Sequence, residues 1–502
     1  MNKADLEYMR EFKEPYRPQF HFSPPKYWMN DPNGLVFFDG EYHLFYQHNP
    51  QANSWGHMSW GHAISEDLIH WQHLPVALRE ENDIMIFSGC VVADNKNSSG
   101  FSESTNKKVL VAVYTAHNTK NGKQAQCLAY SNDRGRKWHK YVNNPVLDIS
   151  SKAFRDPKVF WYNESSRWIM VVALADARKV HFYSSQNLKD WNFLSEFGPA
   201  GAVNGVWECP DLFPLRVRGI SSRVKWVLKV DLAEGAQYSG SGGQYFTGNF
   251  DGEKFKADDT SGDGCNDNDV NWIDQGKDFY AAVTFANMSS RRVVWLGWLA
   301  NWQYAEKVPT EPWKNLLTIP RELGLILRNG KLILTQNPVK ELKMLRDYSV
   351  SFRDIKLSGI QTLPDDFYDA PLLEIKAEFE CGNGETKDFG FEFFPERNKQ
   401  LTVVFNCIDN RLFVNRKKNG LVDFHPEFSG LHCSTLKSDQ RTILLHIFID
   451  NCSIEIFVNN GESIFTDLIF PESGKFKHKI FANESVNIKS LYIWRLKSIW
   501  NF

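Results

Sequence analysis

Three acidic residues lie at points in the sequence where the local backbone is constrained. Asp31 and Asp156 each precede a proline directly, and Glu208 lies two residues before one. Proline fixes its own φ and pushes the preceding residue towards an extended conformation, so these carboxylates are held on stiff backbone. Taken singly, each motif is more simply interpreted as a turn or a strand end, because Asp, Asn, Pro and Gly are typical turn residues. The question is whether the fold brings the three carboxylates together.

Carboxylates gathered in one cavity favour a particular chemistry. Like charges at close range raise a neighbour's pKa, so such a cluster is costly unless one group keeps its proton. Retaining glycosidases use this arrangement, with a nucleophilic carboxylate and a protonated acid about 5 to 5.5 Å apart. A third carboxylate can stabilise the oxocarbenium-like transition state. The three acids therefore predict a glycosidase that needs no cofactor and no metal.

A repeated β-rich unit is expected to position these acids. From Leu35 to about Leu299, short alternating or aromatic strands are separated by Gly, Asn, Asp and Ser turns. The units start about every 60 residues, as the blades of a β-propeller do. Their starts are Asn30-Asp31-Pro32, Phe87-Ser88-Gly89, Arg155-Asp156-Pro157, Glu208-Cys209-Pro210-Asp211 and Asn271-Trp272. Equivalent positions of successive blades face one central channel, so the three acids are predicted to meet there.

The pattern changes after the fifth unit. Residues 338 to 346 are typical of a short helix, and alternating strands return from about Tyr348 without the earlier repeat. Strands of this spacing over the remaining residues predict a β-sandwich. We therefore predict an all-β chain with an N-terminal arm at residues 1–26, a five-bladed β-propeller at 27–335, a linker at 336–347 and a β-sandwich domain at 348–502.

Composition limits the classes of partner. The chain has 502 residues, a net charge of −2 and a pI near 6.7, so neither nucleic acid nor an anionic membrane is an expected partner. No apolar run is long enough to cross a bilayer. The N-terminus lacks a signal-peptide core, which predicts a cytoplasmic protein if this terminus is native and a secreted one if a leader was removed. The eight scattered cysteines are expected to be mostly free, buried thiols.

Four ordered motifs resemble those of the invertase, inulinase and levanase family of glycoside hydrolases, family 32. They are Trp28-Met29-Asn30-Asp31-Pro32-Asn33-Gly34, Phe87-Ser88-Gly89, Phe154-Arg155-Asp156-Pro157 and Trp207-Glu208-Cys209-Pro210-Asp211. The resemblance covers essentially the whole chain. It implies a five-bladed propeller followed by a β-sandwich, and hydrolysis of terminal β-fructofuranosides such as sucrose, inulin and levan with retention of configuration.

The resemblance also implies residue roles. Asp31 would be the nucleophile, Glu208 the general acid and then the base, and Asp156 the transition-state stabiliser, with Arg155 beside it. We expect the Trp207 ring to help desolvate Glu208 and favour its protonated form. The residues expected to bind substrate are Asn30, Gln47, Trp55, Phe87, Ser88 and Arg155, with Trp298 or Trp302 as an aromatic wall.

Several alternatives stay open at this stage. Exo action is the first hypothesis, because residues 55–62 and 240–252 resemble the exo-inulinase and levanase branch. An endo-levanase or a fructosyltransferase on the same scaffold is the rival among enzymes. A carbohydrate-binding propeller without catalysis would lack an acid, and none is missing here. The sandwich could serve as a stabilising partner, a homodimer surface or an accessory sugar site.

Overall fold

The structure is a computed structural model, and it describes residues 12–102, 108–220, 223–258, 270–288, 292–381, 388–396, 399–436, 442–472 and 477–500. Nearly all of its regular structure is β, and the 3-10 helices in these ranges span Ala175–Ala177 and Lys340–Leu345. The predicted five-bladed propeller and C-terminal sandwich are confirmed. Within the same ranges, no helix has the length and apolar character that crossing a bilayer requires.

The propeller blades follow one another along the chain. The first blade contains β1 Tyr27–Phe38, β2 Glu41–Asn49, β3 Ser59–Ser65 and β4 Gln72–Leu78, and the second contains β5 Ile84–Asp94, β6 Val109–Asn118, β7 Gln124–Ser131, β8 His139–Lys140 and β9 Leu147–Ser151. The third contains β10 Phe154–Tyr162, β11 Arg167–Leu174, β12 Lys179–Ser185 and β13 Asn192–Phe197, and the fourth contains β14 Trp207–Arg216, β15 Val224–Leu232, β16 Gly242–Phe250 and β17 Phe255–Ala257.

The fifth blade closes the propeller. It contains β18 Tyr280–Thr284, β19 Val294–Leu299, β21 Leu316–Leu317, β22 Arg321–Arg328 and β23 Lys331–Pro338, while β20 Trp313–Lys314 pairs with β1 of the first blade. The strands β1, β5, β10, β14 and β18 contact one another in this order, and β18 contacts β1. They therefore form the inner ring around the channel.

Every strand of this inner ring carries a β-bulge near its start. The pairing register breaks between Met29 and Pro32, Ile86 and Gly89, Arg155 and Lys158, Glu208 and Asp211, and Tyr280 and Val283. A bulge bends the strand and re-aims its side chains. Because the five bulges lie at equivalent places in the five blades, they turn side chains from every blade towards the same end of the channel.

The fifth unit begins later than its predicted start at Asn271-Trp272. Its inner strand begins at Tyr280. Asn271 and Trp272 instead pair with β16 of the fourth blade, and the residues that follow bind the second domain. The backbone N–H of Gln275 donates to the carbonyl of Ile464 at 2.7 Å, and nearby backbone groups continue the contact. The chain before this blade is therefore used for the contact between domains.

The sandwich has its own hydrophobic core. Its strands are β24 Arg346–Thr362, β25 Leu373–Glu380, β26 Asp388–Glu396, β27 Lys399–Asn406, β28 Arg411–Asn415, β29 Leu431–Thr435, β30 Thr442–Asp450, β31 Ser453–Val458, β32 Ser463–Leu468 and β33 Lys479–Leu496. The described cysteines are free thiols, four of them buried and three half-buried. Cys265 and the first 11 residues of the predicted N-terminal arm lie outside the described residues.

Buried ion pairs join the two domains. Arg321 of the propeller is fully buried, and its Nη2 lies 2.5 Å from Glu455 of the sandwich, while its Nη1 lies 3.2 Å from Asp274. Removing one member of a buried ion pair leaves an uncompensated charge in a low-dielectric site. The junction should therefore be sensitive to loss of this one cation.

We expect Arg321→Met to lower the free energy of unfolding by about 3–5 kcal/mol, because Asp274 loses its buried cation and Glu455 keeps only His21 as a cationic partner. Denaturant unfolding would measure the change. The matched control is Arg328→Met, since Arg328 pairs with Glu462 across the same junction at 2.8 Å but has a side chain that is 41% exposed. An exposed pair contributes at most about 1 kcal/mol, so equal losses in the two variants would contradict this account.

Candidate active site

A cleft of about 310 Å³ opens at the end of the channel where the inner strands begin. Its lining residues are Asn30, Asp31, Gln47, Trp55, Phe87, Ser88, Arg155, Asp156, Glu208, Ala233, Glu234 and Trp302. The structure thus brings together the three acids and seven of the eight residues predicted to bind substrate, although they come from four separate blades and from the segment after β19.

Asp31 lies in the bulge of β1 and is only 8% exposed. The hydroxyl of Ser88 donates to its Oδ2 at 2.5 Å, and the amide of Asn30 donates to its Oδ1 at 3.0 Å. Burial raises the pKa of Asp31, and the charge of Glu208 adds to this effect, while the bonds from Ser88 and Asn30 oppose it. The donors therefore stabilise the ionised form of a carboxylate that burial alone would neutralise.

Asp156 occupies the equivalent bulge of β10, with a φ of 65° that only a small fraction of non-glycine residues adopt. Its backbone N–H donates to Thr115 at 3.0 Å, and its Oδ2 accepts the backbone N–H of Cys209 at 3.0 Å. Burial and then the charge of Glu208 raise the pKa of Asp156, Arg155 opposes them, and the net pKa is about 7. The site therefore couples the ionisation of Asp156 to that of Glu208.

Glu208 is the second residue of β14, the inner strand of the fourth blade, and is bound from both sides. Arg155 donates from Nε to its Oε1 at 2.8 Å, and the hydroxyl of Tyr280 donates to its Oε2. The expected role of Trp207 is not supported, because that ring is fully buried between blades and donates its N–H to the carbonyl of Ala202. Successive side chains of a strand point to opposite sides, so Trp207 faces away from the carboxylate.

Tyr280 keeps its proton and acts as a donor to Glu208. Burial raises the pKa of Tyr280 well above its usual value, and the charge of Glu208 is the next cause. The hydroxyl is therefore a hydrogen-bond donor to the carboxyl group of Glu208.

We expect Tyr280→Phe to lower kcat/KM on sucrose by about tenfold, because Glu208 loses a charge-assisted hydrogen bond. Initial rates on sucrose would measure the loss. Tyr46→Phe is the control, since Tyr46 is also buried but lies outside the cleft. An unchanged kcat/KM in Tyr280→Phe would contradict the assigned contact.

The aromatic wall of the cleft is Trp302 and not Trp298. Trp302 lines the cleft and stacks on Trp28, with ring centroids 6.0 Å apart. Trp298 is 0% exposed and packs behind Trp302, with ring centroids 4.7 Å apart. The prediction that Trp298 contacts the substrate is therefore wrong, and Trp298 instead supports the ring of Trp302.

Other predicted contacts form the rim and floor. Trp55 is 42% exposed at the rim and meets Phe87 edge to face at 6.0 Å, while Phe87 stacks on His117 at 4.5 Å. The amide of Gln47 donates to the carbonyl of Ile86 at 3.0 Å, which fixes its orientation. These groups offer apolar ring faces and fixed polar groups, the combination that suits a sugar.

Sequence reasoning missed several residues of the site. Tyr280 holds Glu208, and the thiol of Cys209 lies 3.6 Å from Asp31 and 3.7 Å from Asp156. Glu234 also lines the cleft. The blade repeat predicts Tyr280 when the fifth unit begins at its true start, and Cys209 belongs to the motif Trp207-Glu208-Cys209-Pro210-Asp211. Within the described residues, no cluster of His, Cys, Asp and Glu could hold a metal ion.

Comparison with known proteins agrees with this geometry. The model of the glycosyl hydrolases family 32 N-terminal domain matches residues 21–338, and the family's C-terminal model matches residues 341–495. A levanase of Bacillus subtilis is 45% identical over 99% of this chain and 72% of its own length. The crystal structure of an exo-inulinase from Aspergillus awamori superposes with a TM-score of 0.91 at 35% identity, covering 97% of this chain and 100% of that one.

A second solved structure carries a ligand. The β-fructofuranosidase of Schwanniomyces occidentalis, complexed with fructosyl-erythritol, superposes with a TM-score of 0.88 at 32% identity over 97% of this chain and 99% of its own. Both family models and these relatives cover the propeller and the sandwich together. The chain therefore belongs to glycosyl hydrolase family 32 and is a glycoside hydrolase that cleaves fructosides.

Proposed function

We propose that this enzyme removes terminal β-D-fructofuranosyl residues from sucrose and from inulin- and levan-type fructans, in exo mode and with retention of configuration. The observation that carries the proposal is that Asp31 and Glu208 line one cleft and have different hydrogen-bond donors. Asp31 is bound by neutral donors, whereas Glu208 is bound by Arg155 and Tyr280. The names of the levanase and exo-inulinase relatives support the same substrate class.

Asp31 is the nucleophile in this proposal. Its ionised oxygen attacks the anomeric carbon of the terminal fructose and forms a covalent fructosyl-enzyme ester. Ser88 and Asn30 hold the carboxylate and favour its charged form before attack. Because both donors lie on the inner ring of strands, the carboxylate needs little reorganisation as the reaction proceeds.

Glu208 is the acid and then the base. As the acid it protonates the glycosidic oxygen while that bond to the anomeric carbon breaks. As the base it takes a proton from the water that hydrolyses the ester, which restores both carboxyl groups. Arg155 and Tyr280 stabilise the ionised form between the two steps.

Asp156 stabilises the transition state through the fructose hydroxyls. Its pKa near 7 depends in part on the negative charge of Glu208. When Glu208 carries its catalytic proton, this repulsion is absent and Asp156 ionises more readily. The acid step needs a proton on Glu208 and charges on Asp31 and Asp156.

Product analysis tests the proposal. NMR spectra recorded during the first turnovers should show β-fructofuranose before the anomers equilibrate, since a double displacement retains configuration. Levan and inulin should release fructose alone from the start. Early oligosaccharides would favour the endo-levanase alternative, and transfer products at low sucrose would favour the fructosyltransferase.

A homodimer is also a prediction. The long strand β24 pairs only with β33 among the described strands, and it exposes the apolar side chains of Tyr348, Phe352 and Ile360. Such an edge can pair with a second copy, although Lys and Arg side chains along it act against unwanted pairing. Sedimentation of the full chain would decide between monomer and dimer.

A further inference from the structure

A second cavity opens at the other end of the propeller channel. It has a volume of about 630 Å³, twice that of the catalytic cleft, and it lies within the range of about 300–1,000 Å³ that is typical of ligand pockets. Its walls come from the last residues of β5, β10 and β14 and from the segment after β18. Asp156 and Glu208 lie near the starts of β10 and β14, so the two openings are on opposite faces. We call this space the lower cavity.

The channel between the two spaces is closed. A void of only about 10 Å³ separates them, and Asp156, Lys158 and Cys209 are among the residues that line it. A space of this size holds about one water molecule. A ligand in the lower cavity therefore cannot be a substrate reaching the acids through the channel, and the lower cavity is a separate site.

Aromatic rings dominate the walls of the lower cavity. Trp161 is half-buried and meets Trp168 edge to face at 5.1 Å, and Trp226 packs on Phe160 at 5.6 Å and on Tyr162 at 6.0 Å. In the described part of the chain, neither the indole N–H of Trp161 nor that of Trp226 has a hydrogen-bond acceptor. Half-buried rings with free N–H groups offer both an apolar face and a donor, which suits a sugar ring.

The charges around the lower cavity nearly cancel. Of the five charged side chains that line it, Lys158 and Arg292 are paired with carboxylates, and Asp94 accepts two backbone N–H bonds. Lys96 and Glu164 remain, one of each sign, and Lys96 lies over the ring of Trp161 at 5.1 Å. A site with this balance does not favour an anion or a cation, so a neutral ligand is expected.

The rim adds polar groups of the kind that bind hydroxyls. Asn163 and Asn95 both line the cavity and are exposed. The side-chain amide of Asn163 makes no hydrogen bond to any described residue, so both its donors and its acceptor are free for a ligand. Aromatic faces, free indole donors, amides and low net charge together describe a neutral carbohydrate.

We propose that the lower cavity is a non-catalytic site that binds a fructan chain and holds polymeric substrate on the enzyme. The identity of the sugar rests on the proposed function, whereas the presence of a carbohydrate site rests on the cavity alone. A polymer held at a second site is presented to the cleft at a higher effective concentration, while sucrose is too short to gain from it.

Native gel electrophoresis in gels that contain levan tests the proposal. The background is Asp31→Asn, so that the polymer is not consumed. Trp161→Ala and Asn163→Ala in this background should weaken the retardation by levan, with about a tenfold loss of affinity for the ring deletion. Because Asn163 is exposed, Asn163→Ala should stay folded, and it still tests the cavity if Trp161→Ala proves unstable on heating.

Phe193→Ala is the matched control, because it deletes a ring that is 55% exposed on the same blade and lines neither cavity. In the enzyme with Asp31 intact, the three variants should keep kcat/KM on sucrose, whereas Trp161→Ala and Asn163→Ala should lower kcat/KM on levan. Failure of the proposed function would appear as absent fructose release by the unmodified enzyme, whatever the gels show. Retardation unchanged by both cavity variants, or equal retardation by dextran, would overturn the fructan site.

Discussion

Asp31→Asn should lower kcat on sucrose by about 10⁴- to 10⁶-fold while leaving the fold intact, because the neutral amide cannot form the covalent intermediate. The substitution is isosteric, and an amide can still bond to Asn30 and to the hydroxyl of Ser88, which can reverse its direction. KM should change little, since the fructose-binding side chains stay in place. Initial rates on sucrose and thermal melting of the two proteins measure both expectations.

Asp67→Asn provides the matched control for Asp31→Asn. It makes the same chemical change in the same blade, at the turn between β3 and β4, where Asp67 binds His70 at 2.8 Å. The control should lose some stability and keep its turnover. Comparable turnover in Asp31→Asn, confirmed with Asp31→Ala to exclude a contribution from the amide, would remove Asp31 from the nucleophile's role.

The blade repeat made the fold and the acid cluster predictable from sequence. A propeller places equivalent positions of each unit on one channel, so Asp31, Asp156 and Glu208 could be brought together without any knowledge of side-chain contacts. What the repeat did not predict is the bulge at the start of every inner strand. The Asp-Pro-Asn-Gly segment resembles a turn by composition, whereas the structure places it within β1, where two register breaks accommodate it.

Tyr280 illustrates why part of the site was missed. The segment before it has a strand-like Trp and polar residues, which suggested a unit start at Asn271-Trp272. Asn271 and Trp272 instead pair with β16 of the fourth blade, and Gln275 begins the contact with the sandwich. Neither contact leaves a periodic signal in the sequence. With the unit moved to its true start, Tyr280 occupies the place in the fifth blade that Glu208 occupies in the fourth.

The expectations for Trp207 and Trp298 were wrong for a related reason, whereas Trp302 lines the cleft. Trp298 and Trp302 are close in sequence, but Trp298 lies in β19 between neighbouring strands, whereas Trp302 follows the strand and reaches the cleft. Trp207 precedes Glu208, and adjacent residues of a strand face opposite sides. Side-chain direction near a strand end depends on where the strand begins and where its bulge falls, and neither is fixed by composition.

Glu208→Gln should have an effect that depends on the leaving group. On sucrose, kcat should fall by about 10³-fold or more, because both the acid and the base are lost. On an aryl β-fructofuranoside, whose leaving group needs no proton, the first step should survive and the second should become slow. The expected result is a burst of released phenol equal to the enzyme concentration, followed by slow turnover as the fructosyl-enzyme ester accumulates.

Azide distinguishes the roles of the two carboxylates. It is a nucleophile that needs no base, so it should restore turnover of the aryl fructoside by Glu208→Gln and yield the β-fructosyl azide, because the ester on Asp31 is still formed. With Asp31→Ala, no burst should occur, and azide attacking the substrate directly would give the α product. A β product from Asp31→Ala, or no rescue of Glu208→Gln, would reverse or remove these assignments, since the stereochemistry reports which carboxylate carries the sugar.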